Sequence, residues 1–327
     1  MPNASPSING WNFQVTVGII LFFSDVRNIL RIKIEGKDED IEIFHADGKK
    51  TYCQAKTAYN FDSANKVALS RLKDALKSID SNKDKANIFI YASNIINPVN
   101  VSSSRNAYNY NTIYNIDEIP VKDREKILKY VSDDFPIENL RIAIYQFGSD
   151  IDSRQKHAKY IIDKFFKSIN IYNFNEHNLM DKYVNLFFDD ACNRHIYKTK
   201  EDFIWPAIIV ALDTLDNSDE LIELLGNEEE VSNILNAYDD YINQKTVDYE
   251  FIIKYITGFA DYSNDHSRAR IIDFINDNYI RYLDDYSSLS NEDTKEMVAK
   301  MVMYKVLKNR STINKIKNGA NIKYGNN

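Results

Sequence analysis

A tight turn at Asp47-Gly48, flanked by two alternating segments, constrains the fold of this chain more than any other feature of its sequence. Both turn residues tolerate the positive φ that a two-residue β-hairpin needs. In residues 40–44, isoleucines alternate with acidic residues, which is the pattern of a strand with one apolar face. The sequence therefore predicts that residues 40–44 and 51–56 pair as antiparallel strands.

Further strands and helices are predicted on both sides of this hairpin. Alternation predicts a strand at 29–34, and short apolar runs predict buried strands at 87–92 and 140–147. Residues 93–119 have no clear period and are expected to form a long loop or an insertion. Apolar residues at three- and four-residue spacing predict helices at 11–25, 63–79, 121–131 and 154–169.

Strand patterns stop at about Arg154, and the rest of the chain has only helical spacing. Helices are predicted near 178–190, 200–215, 217–225, 228–243, 248–260, 265–285 and 291–309. A chain of 327 residues is long enough for two domains. We therefore expect a mixed-sheet α/β domain at 1–172 and an all-α domain at 173–327, with the last dozen residues disordered.

Composition narrows the class of protein. A net charge of −7 argues against a protein that coats nucleic acid through bulk charge, although a cleft can still be locally basic. The two cysteines, Cys53 and Cys192, give no disulfide framework or zinc pattern and favour a reducing compartment. The N-terminus lacks the pattern of a signal peptide, and the apolar run 15–23 is shorter than the roughly 20 residues of a membrane span. A cytoplasmic protein without membrane contact is expected.

The phase of the two hairpin strands brings polar side chains together. Residues two apart in a strand face the same way, so Asp40 shares a face with Glu42, and Gln54 shares a face with Lys56. If the turn pairs these strands, both polar faces lie on one side of the sheet. Glu35 ends the preceding strand and can project toward the same place.

Oxygen donors beside a lysine are suited to phosphodiester hydrolysis with Mg²⁺ or Mn²⁺. Hard cations prefer carboxylate, carbonyl and water oxygens. Asp40 is the expected primary metal ligand, with the Gln54 side-chain carbonyl and the Ala55 backbone carbonyl as further oxygens. Glu35 is expected to act directly or through a bound water, and Lys56 to orient the attacking water and balance charge on the phosphoryl group. Asp38 is the alternative to Asp40 as the metal ligand.

The order helix, strand-Glu, strand-Asp, strand-Gln-x-Lys, helix, strand resembles the PD-(D/E)xK restriction-endonuclease-like core. Over roughly residues 8–95 the chain also resembles the double-stranded-DNA endonuclease domain of bacterial anti-phage effectors. That likeness rests on Gly10-Trp-Asn-Phe-Gln14, Glu35-Gly36, Asp40-Ile41 and Gln54-Ala-Lys56-Thr57. Position by position, Asp40, Gln54 and Lys56 match the catalytic motif, Gln14 matches the glutamine of the first helix, and Glu35 matches the acidic residue ahead of the aspartate. Gln14 is expected to support the site, as is Glu42, which shares the face of Asp40. Glutamine stands where the superfamily pattern has a glutamate.

The resemblance implies a metal-dependent DNA endonuclease of an antiviral defence system that is activated by oligomerisation. Such domains occur in CBASS effectors, in Lamassu nuclease subunits and in nucleases paired with HerA-type ATPases. The helical half lacks the mixed α/β pattern of a cyclic-nucleotide sensor, so it is expected to serve in partner docking or oligomerisation. A Lamassu-type subunit held inactive by an SMC-like ATPase and an accessory subunit is expected, with a HerA-type partner as the alternative.

Two other interpretations remain open at this point. A run such as Lys37-Asp38-Glu39-Asp40 is also typical of a solvated turn, and Gln14 is equally typical of the exposed side of a helix. A catalytically inactive nuclease fold that serves as a binding scaffold is the alternative from another functional class.

Overall fold

The computed structural model describes residues 5–58, 61–193, 197–213, 219–226, 228–244, 249–266 and 268–322. The chain divides into two compact units. The first contains residues up to 168 and 172–200, and the second contains 169–171 and residues from 201 onward. The division thus falls near residue 200 and not at 172. The physical reason is that the helix at Glu176–Asn193 packs against earlier helices of the first unit.

The first unit alternates strands and helices. The strands among its described residues are β1 (Ile29–Ile34), β2 (Ile41–His45), β3 (Lys50–Lys56), β4 (Ile88–Ser93), β5 (Thr112–Asn115), β6 (Leu140–Ile144) and β7 (Lys198–Thr199). Its helices are α1 (Ser5–Ser24), α2 (Phe61–Ser81), α3 (Val121–Leu128), α4 (Ile151–Ser168) and α5 (Glu176–Asn193). The predicted hairpin and its flanking elements are present, with ends that differ by a few residues.

The strands form one mixed sheet in the order β5-β6-β4-β3-β2-β1-β7. β1, β2 and β3 are successive antiparallel neighbours, whereas β4 lies parallel to β3 and β6 lies parallel to β4. The helix α2 connects β3 to β4, as a parallel crossover requires. The first unit is therefore a mixed α/β structure, as the sequence predicts.

Helices cover the two faces of the sheet. On one face, Tyr52, Phe89 and Tyr91 pack against apolar residues of α2 such as Leu72 and Leu76. On the other face, α1 packs against β1, β3 and α4. Gly18 of α1 lies so close to β1 that an added Cβ would be 2.7 Å from the Ile34 Cδ1 atom. Burial on both faces fixes the phase of every central strand, because a one-residue slip would exchange the two faces.

The second unit is helical throughout its described residues. Its helices are α6 (Lys200–Leu212), α7 (Asp219–Leu225), α8 (Glu228–Gln244), α9 (Tyr249–Asp265), α10 (Ile271–Asn278), α11 (Glu292–Lys308) and α12 (Arg310–Gly319), with a 3₁₀ segment at Tyr279–Tyr286. Buried aromatic and aliphatic side chains, including Tyr238, Tyr255 and Val302, form its core. In the part of the chain that the structure describes, no helix combines the length and apolarity needed to cross a membrane.

Several boundaries differ from the sequence prediction. The single helix expected at 265–285 is instead α10 followed by the 3₁₀ segment, because Asn278 at their junction leaves helical dihedrals with a φ of −128°. The helix begins only at Ile271, since Arg268 has a φ of 84° and cannot belong to it. β7 lies beyond the point where strands were expected to stop. The expected disorder of the last dozen residues is wrong up to Gly319, because α12 buries Ile313 and Ile316. Residues 323–327 lie outside the described part of the chain. The predicted helices at 200–215, 217–225 and 248–260 extend in part over residues 214–218 and 248, which also lie outside it.

The segment 93–119 is not the long loop that the sequence predicts. It contributes the edge strand β5, which pairs antiparallel with β6. A fully buried carboxylate, Asp123 of α3, accepts hydrogen bonds from the Ser104 hydroxyl at 2.5 Å and the Tyr108 hydroxyl at 2.6 Å. Because a buried charge needs such partners, these bonds hold the segment against α3.

Replacing Asp123 tests that account of the segment. Asp123→Ala is expected to lower the free energy of unfolding by about 2–3 kcal/mol, because two buried hydroxyls lose a charged acceptor. The neighbouring exposed Lys122→Ala is the matched control and should change it by less than about 0.5 kcal/mol. Urea denaturation followed by circular dichroism measures both, and equal effects of the two substitutions would contradict the account.

Candidate active site

Asp40 and Lys56 lie together at one end of the β2–β3 pair. The register pairs Ile41 with Cys53, which brings Asp40 level with Gln54, and Lys56 ends β3 two residues further along. The Asp40 Oδ2 atom accepts hydrogen bonds from Lys56 Nζ at 2.9 Å and from the Ala55 amide at 3.0 Å. The two side chains are 17% and 29% exposed, so the pair can be reached from solvent.

The Asp40 Oδ1 atom accepts no hydrogen bond from the described residues. Of the two candidate aspartates, Asp40 is therefore the one that contacts Lys56 and keeps a free carboxylate oxygen.

Glu39, the residue before Asp40, is buried under α2 with 3% of its surface exposed. Its carboxylate accepts hydrogen bonds from the Gln54 side-chain amide at 2.5 Å and from the Asn82 side-chain amide at 2.9 Å. The Ser78 hydroxyl lies 3.2 and 3.3 Å from its two oxygens. Burial raises the pKa of Glu39 and neighbouring Asp40 adds to the rise, while the three hydrogen-bond donors oppose it.

Gln54 therefore points its amide nitrogen at Glu39. Its side chain is 6% exposed, and the Nε2 atom also lies 3.5 Å from the Ser78 hydroxyl. The Oε1 atom accepts no hydrogen bond from the described residues. The amide oxygen of Gln54 is accordingly available to an electropositive group, whereas its nitrogen is already used.

Residues 35–40 form the loop between β1 and β2, which carries Glu39 and Asp40, and a backbone hydrogen bond closes it. Glu35 adopts a φ of 54°, unusual for a residue other than glycine, and its amide donates to the Asp40 carbonyl at 2.7 Å. The Glu35 side chain is exposed and makes no hydrogen bond or ion pair with the described residues. Glu35 thus lies at the start of the loop, and its carboxylate makes no hydrogen bond or ion pair with Asp40.

Glu42 is hydrogen-bonded to the loop at Asp38 and makes no hydrogen bond or ion pair with Asp40 or Lys56. Its buried carboxylate accepts from the Asp38 amide at 2.9 Å and from the Tyr197 hydroxyl at 2.7 Å. Burial and this bond raise the pKa of Tyr197 to about 12. A Cβ on Gly36 would lie 2.1 Å from Glu42 Oε1, so only glycine permits the loop to pass so close. The supporting role expected for Glu42 is therefore structural in this geometry.

Asp38 is held by a separate set of contacts. Its carboxylate receives Lys85 Nζ at 2.6 Å and the Tyr52 hydroxyl at 3.2 Å, and its carbonyl accepts from the Asn82 side chain at 3.0 Å. The ion pair with Lys85 lowers the pKa of Asp38 below 3.8. These contacts tie the loop to the C-terminal end of α2.

Gln14 lies on α1, on the other face of the sheet. Asp25, just after α1, is 3.6 Å from His45 at the hairpin end, whereas Gly18 adjoins Ile34 at the end of β1. Gln14 is one turn before Gly18 and on the same side of the helix, so it lies toward the end of the sheet that carries Asp40. Its Oε1 atom is buried without a hydrogen-bond partner, although no contact joins it to Asp40, Gln54 or Lys56.

The donor set suits a hard cation only if amide and carbonyl oxygens contribute. Among the described residues, no group of three or more His, Cys, Asp or Glu side chains is placed to hold a metal ion. The free oxygens near Lys56 are Asp40 Oδ1 and Gln54 Oε1, one charged and one neutral. Mg²⁺ commonly takes one or two carboxylates and keeps several waters, so this set fits Mg²⁺ better than a cation that needs a full protein cage.

Sequence reasoning missed Glu39. The strand phase points to Asp40 and assigns the rest of the acidic run to a turn, and nothing local to Glu39 shows that α2 will cover it. A signal was present at the end of α2, where Ser78 and Asn82, the residue just after the helix, stand four residues apart on one side. Without knowing which loop packs there, that pair could not be assigned to Glu39.

Comparison of the chain with models of known protein families, with curated proteins and with solved structures gives no match. The function is therefore argued from the residues and geometry described above.

The depressed pKa of Asp38 predicts a pH-dependent contribution to stability. A carboxylate with a folded-state pKa below its unfolded value of 3.8 stabilises the folded state above pH 3.8. That contribution is lost as the pH falls through the lower, folded value. At pH 7, Asp38→Asn should therefore lower the free energy of unfolding by about 0.5–1.5 kcal/mol.

Urea titrations of the wild type and Asp38→Asn between pH 7 and pH 3 measure this difference. The gap should be constant above about pH 5 and narrow below pH 3.8. Asp133→Asn, at an exposed position, is the control and should show no such narrowing. A gap that widens toward low pH would contradict the assignment of the Lys85–Asp38 pair.

Proposed function

We propose that the chain is a metal-dependent DNA endonuclease. The observation that carries this proposal is the 2.9 Å contact of Asp40 with Lys56, next to Gln54 at one end of a paired hairpin. A carboxylate and an amide oxygen can bind a cation, and an ammonium group can stabilise charge on a phosphate, which together suit phosphodiester hydrolysis. Their partial exposure leaves room for a substrate to approach.

The order of elements gives further support. Helix α1, the antiparallel strands β1 to β3, the crossover helix α2 and the parallel strand β4 follow the succession of the PD-(D/E)xK core that the sequence resembles. Asp40 precedes the second strand and Lys56 ends the third, which are the motif positions in that core. The restriction-endonuclease-like assignment of the sheet is part of this proposal.

Asp40 and Gln54 would hold the cation, together with the Ala55 backbone carbonyl. When bound, Mg²⁺ or Mn²⁺ supplies positive charge that polarises the phosphoryl group and activates water. Lys56, which pairs with Asp40 at 2.9 Å, would orient the attacking water and stabilise negative charge on the phosphoryl oxygens. Glu35, exposed at the mouth of the loop, is positioned to assist from the solvent side.

The helical second unit is the candidate for control of the nuclease. We assign it to partner docking or oligomerisation because its described residues carry no strand or motif of a nucleotide sensor. A Lamassu-type defence subunit, held inactive by an SMC-like ATPase with an accessory subunit, is our first assignment. A nuclease docked on a HerA-type ATPase is the second, and double-stranded DNA is the expected substrate in both.

A non-catalytic scaffold is the candidate of another class. The closed Asp40–Lys56 ion pair favours it, since a paired lysine and aspartate can also be a purely structural contact. Glutamine at position 54 points the same way, because it removes one negative charge from the superfamily pattern.

Plasmid cleavage with Mg²⁺ or Mn²⁺ separates the enzyme from the scaffold. Asp40→Ala and Lys56→Ala should each reduce the cleavage rate by at least about 100-fold, because each removes a charge that acts on the reacting phosphate. The assay is run with and without candidate partner proteins.

The hairpin offers a matched control at the other end of the same strands. There Lys49 and Asp47 form an ion pair of 2.7 Å with both side chains half exposed. Lys49→Ala and Asp47→Ala should leave the cleavage rate within about twofold, since such surface pairs contribute little. An equal loss of cleavage rate in the variants of both ion pairs would contradict the nuclease proposal. The absence of cleavage under every condition would contradict it too.

Activation by oligomerisation predicts a dependence on protein concentration. At nanomolar concentration the purified chain should cut plasmid slowly, and the rate per chain should rise as oligomers form. Light scattering alongside the cleavage assay measures both quantities. Rapid cleavage by the monomer at nanomolar concentration with Mg²⁺ would contradict activation by oligomerisation.

A further inference from the structure

We propose that Glu39 is a positioning residue that fixes the orientation of the Gln54 amide and so presents the Gln54 carbonyl oxygen to the catalytic cation. This inference rests on the nuclease function proposed above and assigns a role to a residue outside the Asp-Gln-x-Lys motif. It starts from the burial of Glu39 and the hydrogen bonds that its carboxylate accepts.

The Glu39 carboxylate has only neutral donors around it. It makes no ion pair with the described residues, and its partners are the side chains of Gln54, Ser78 and Asn82. An ionised carboxylate accepts hydrogen bonds and donates none. Three donors converge on the two oxygens of Glu39, so this carboxyl group acts as an acceptor and Gln54 presents its nitrogen to it.

Fixing the nitrogen of an amide also fixes its oxygen. The two atoms occupy the two ends of one planar group, so the Nε2 contact of 2.5 Å with Glu39 turns Oε1 away from Glu39. A rotation of the amide by 180° would place a carbonyl against the carboxylate and offer NH₂ to the cation. Both contacts would be repulsive, and Glu39 thus selects the orientation that binds a cation.

The same contact accounts for the glutamine in the motif. A glutamate at position 54 would bring two carboxylates within about 2.5 Å, the present distance between Gln54 and Glu39. Two like charges so close cannot both ionise. In this chain residue 54 is a neutral amide, and the carboxyl group beside it belongs to Glu39 of the loop. The identity of residue 39 therefore depends on that of residue 54.

An exchange of the two side chains tests the dependence. Glu39→Gln leaves Gln54 without a charge to orient it, and Gln54→Glu creates the carboxylate clash. The double variant Glu39→Gln/Gln54→Glu keeps the net charge and reverses the donor and acceptor of the same hydrogen bond. Asp123→Asn is the control, because it alters another buried carboxylate of the same unit.

Two measurements on the full-length chain need no cleavage. In the metal-free protein, NMR of ¹⁵N-labelled glutamine should show a slowly exchanging Gln54 side-chain NH₂ that Glu39→Gln converts to rapid exchange. Electron paramagnetic resonance with Mn²⁺ alone should show about 10–100-fold weaker binding in Glu39→Gln, the usual loss when an outer partner of a metal ligand is removed. The double variant should recover Mn²⁺ affinity, and Asp123→Asn should lose stability without losing Mn²⁺ affinity.

The outcomes separate this inference from the nuclease proposal. Unchanged Gln54 exchange and unchanged Mn²⁺ affinity in Glu39→Gln would overturn the positioning role, whether or not DNA is cut. Recovery of thermal stability without recovery of Mn²⁺ affinity in the double variant would assign Glu39 a structural role only and overturn it too. Mn²⁺ affinities that follow the expected pattern, with no plasmid cleavage under any condition, would support the positioning role and contradict the nuclease.

Discussion

The buried carboxylate of Glu39 is the constraint on which the rest of the candidate site depends. A carboxyl group that is 3% exposed, with no ion-pair partner among the described residues, is stable only if hydrogen-bond donors surround it. The donors come from β3 and from the last turns of α2, so the loop before β2 must lie beneath that helix. With the loop held there, Asp40 lies just before β2 at the level of Gln54, and Lys56 reaches its carboxylate.

A second layer of contacts holds the loop in shape without joining the chemistry. Glu42 accepts the Asp38 amide, Gly36 passes directly over Glu42, and Lys85 and Tyr52 bind the Asp38 carboxylate. The acidic run thus separates into residues that anchor the loop and one residue, Asp40, that is open to a ligand. These contacts distinguish the loop from a solvated turn with the same composition.

The hairpin strands β2 and β3 and the proximity of Asp40 to Lys56 could be predicted from the sequence because they follow from local rules. Asp47-Gly48 specifies the turn, alternation specifies the faces, and together they set the register of the hairpin. The Glu39 contacts could not be predicted, since Ser78 and Asn82 lie about 40 residues away and reach Glu39 only through packing.

The other errors have the same cause. β5 and β7 are short edge strands whose pairing depends on neighbours distant in the chain, and the division near residue 200 depends on where α5 packs.

The most direct test of the proposed cation site is the anomalous diffraction of crystals soaked in Mn²⁺. We expect one Mn²⁺ peak within bonding distance of Asp40 and Gln54 Oε1, with Lys56 released from Asp40. Crystals without a peak there, in which Lys56 still bridges to Asp40, would contradict it.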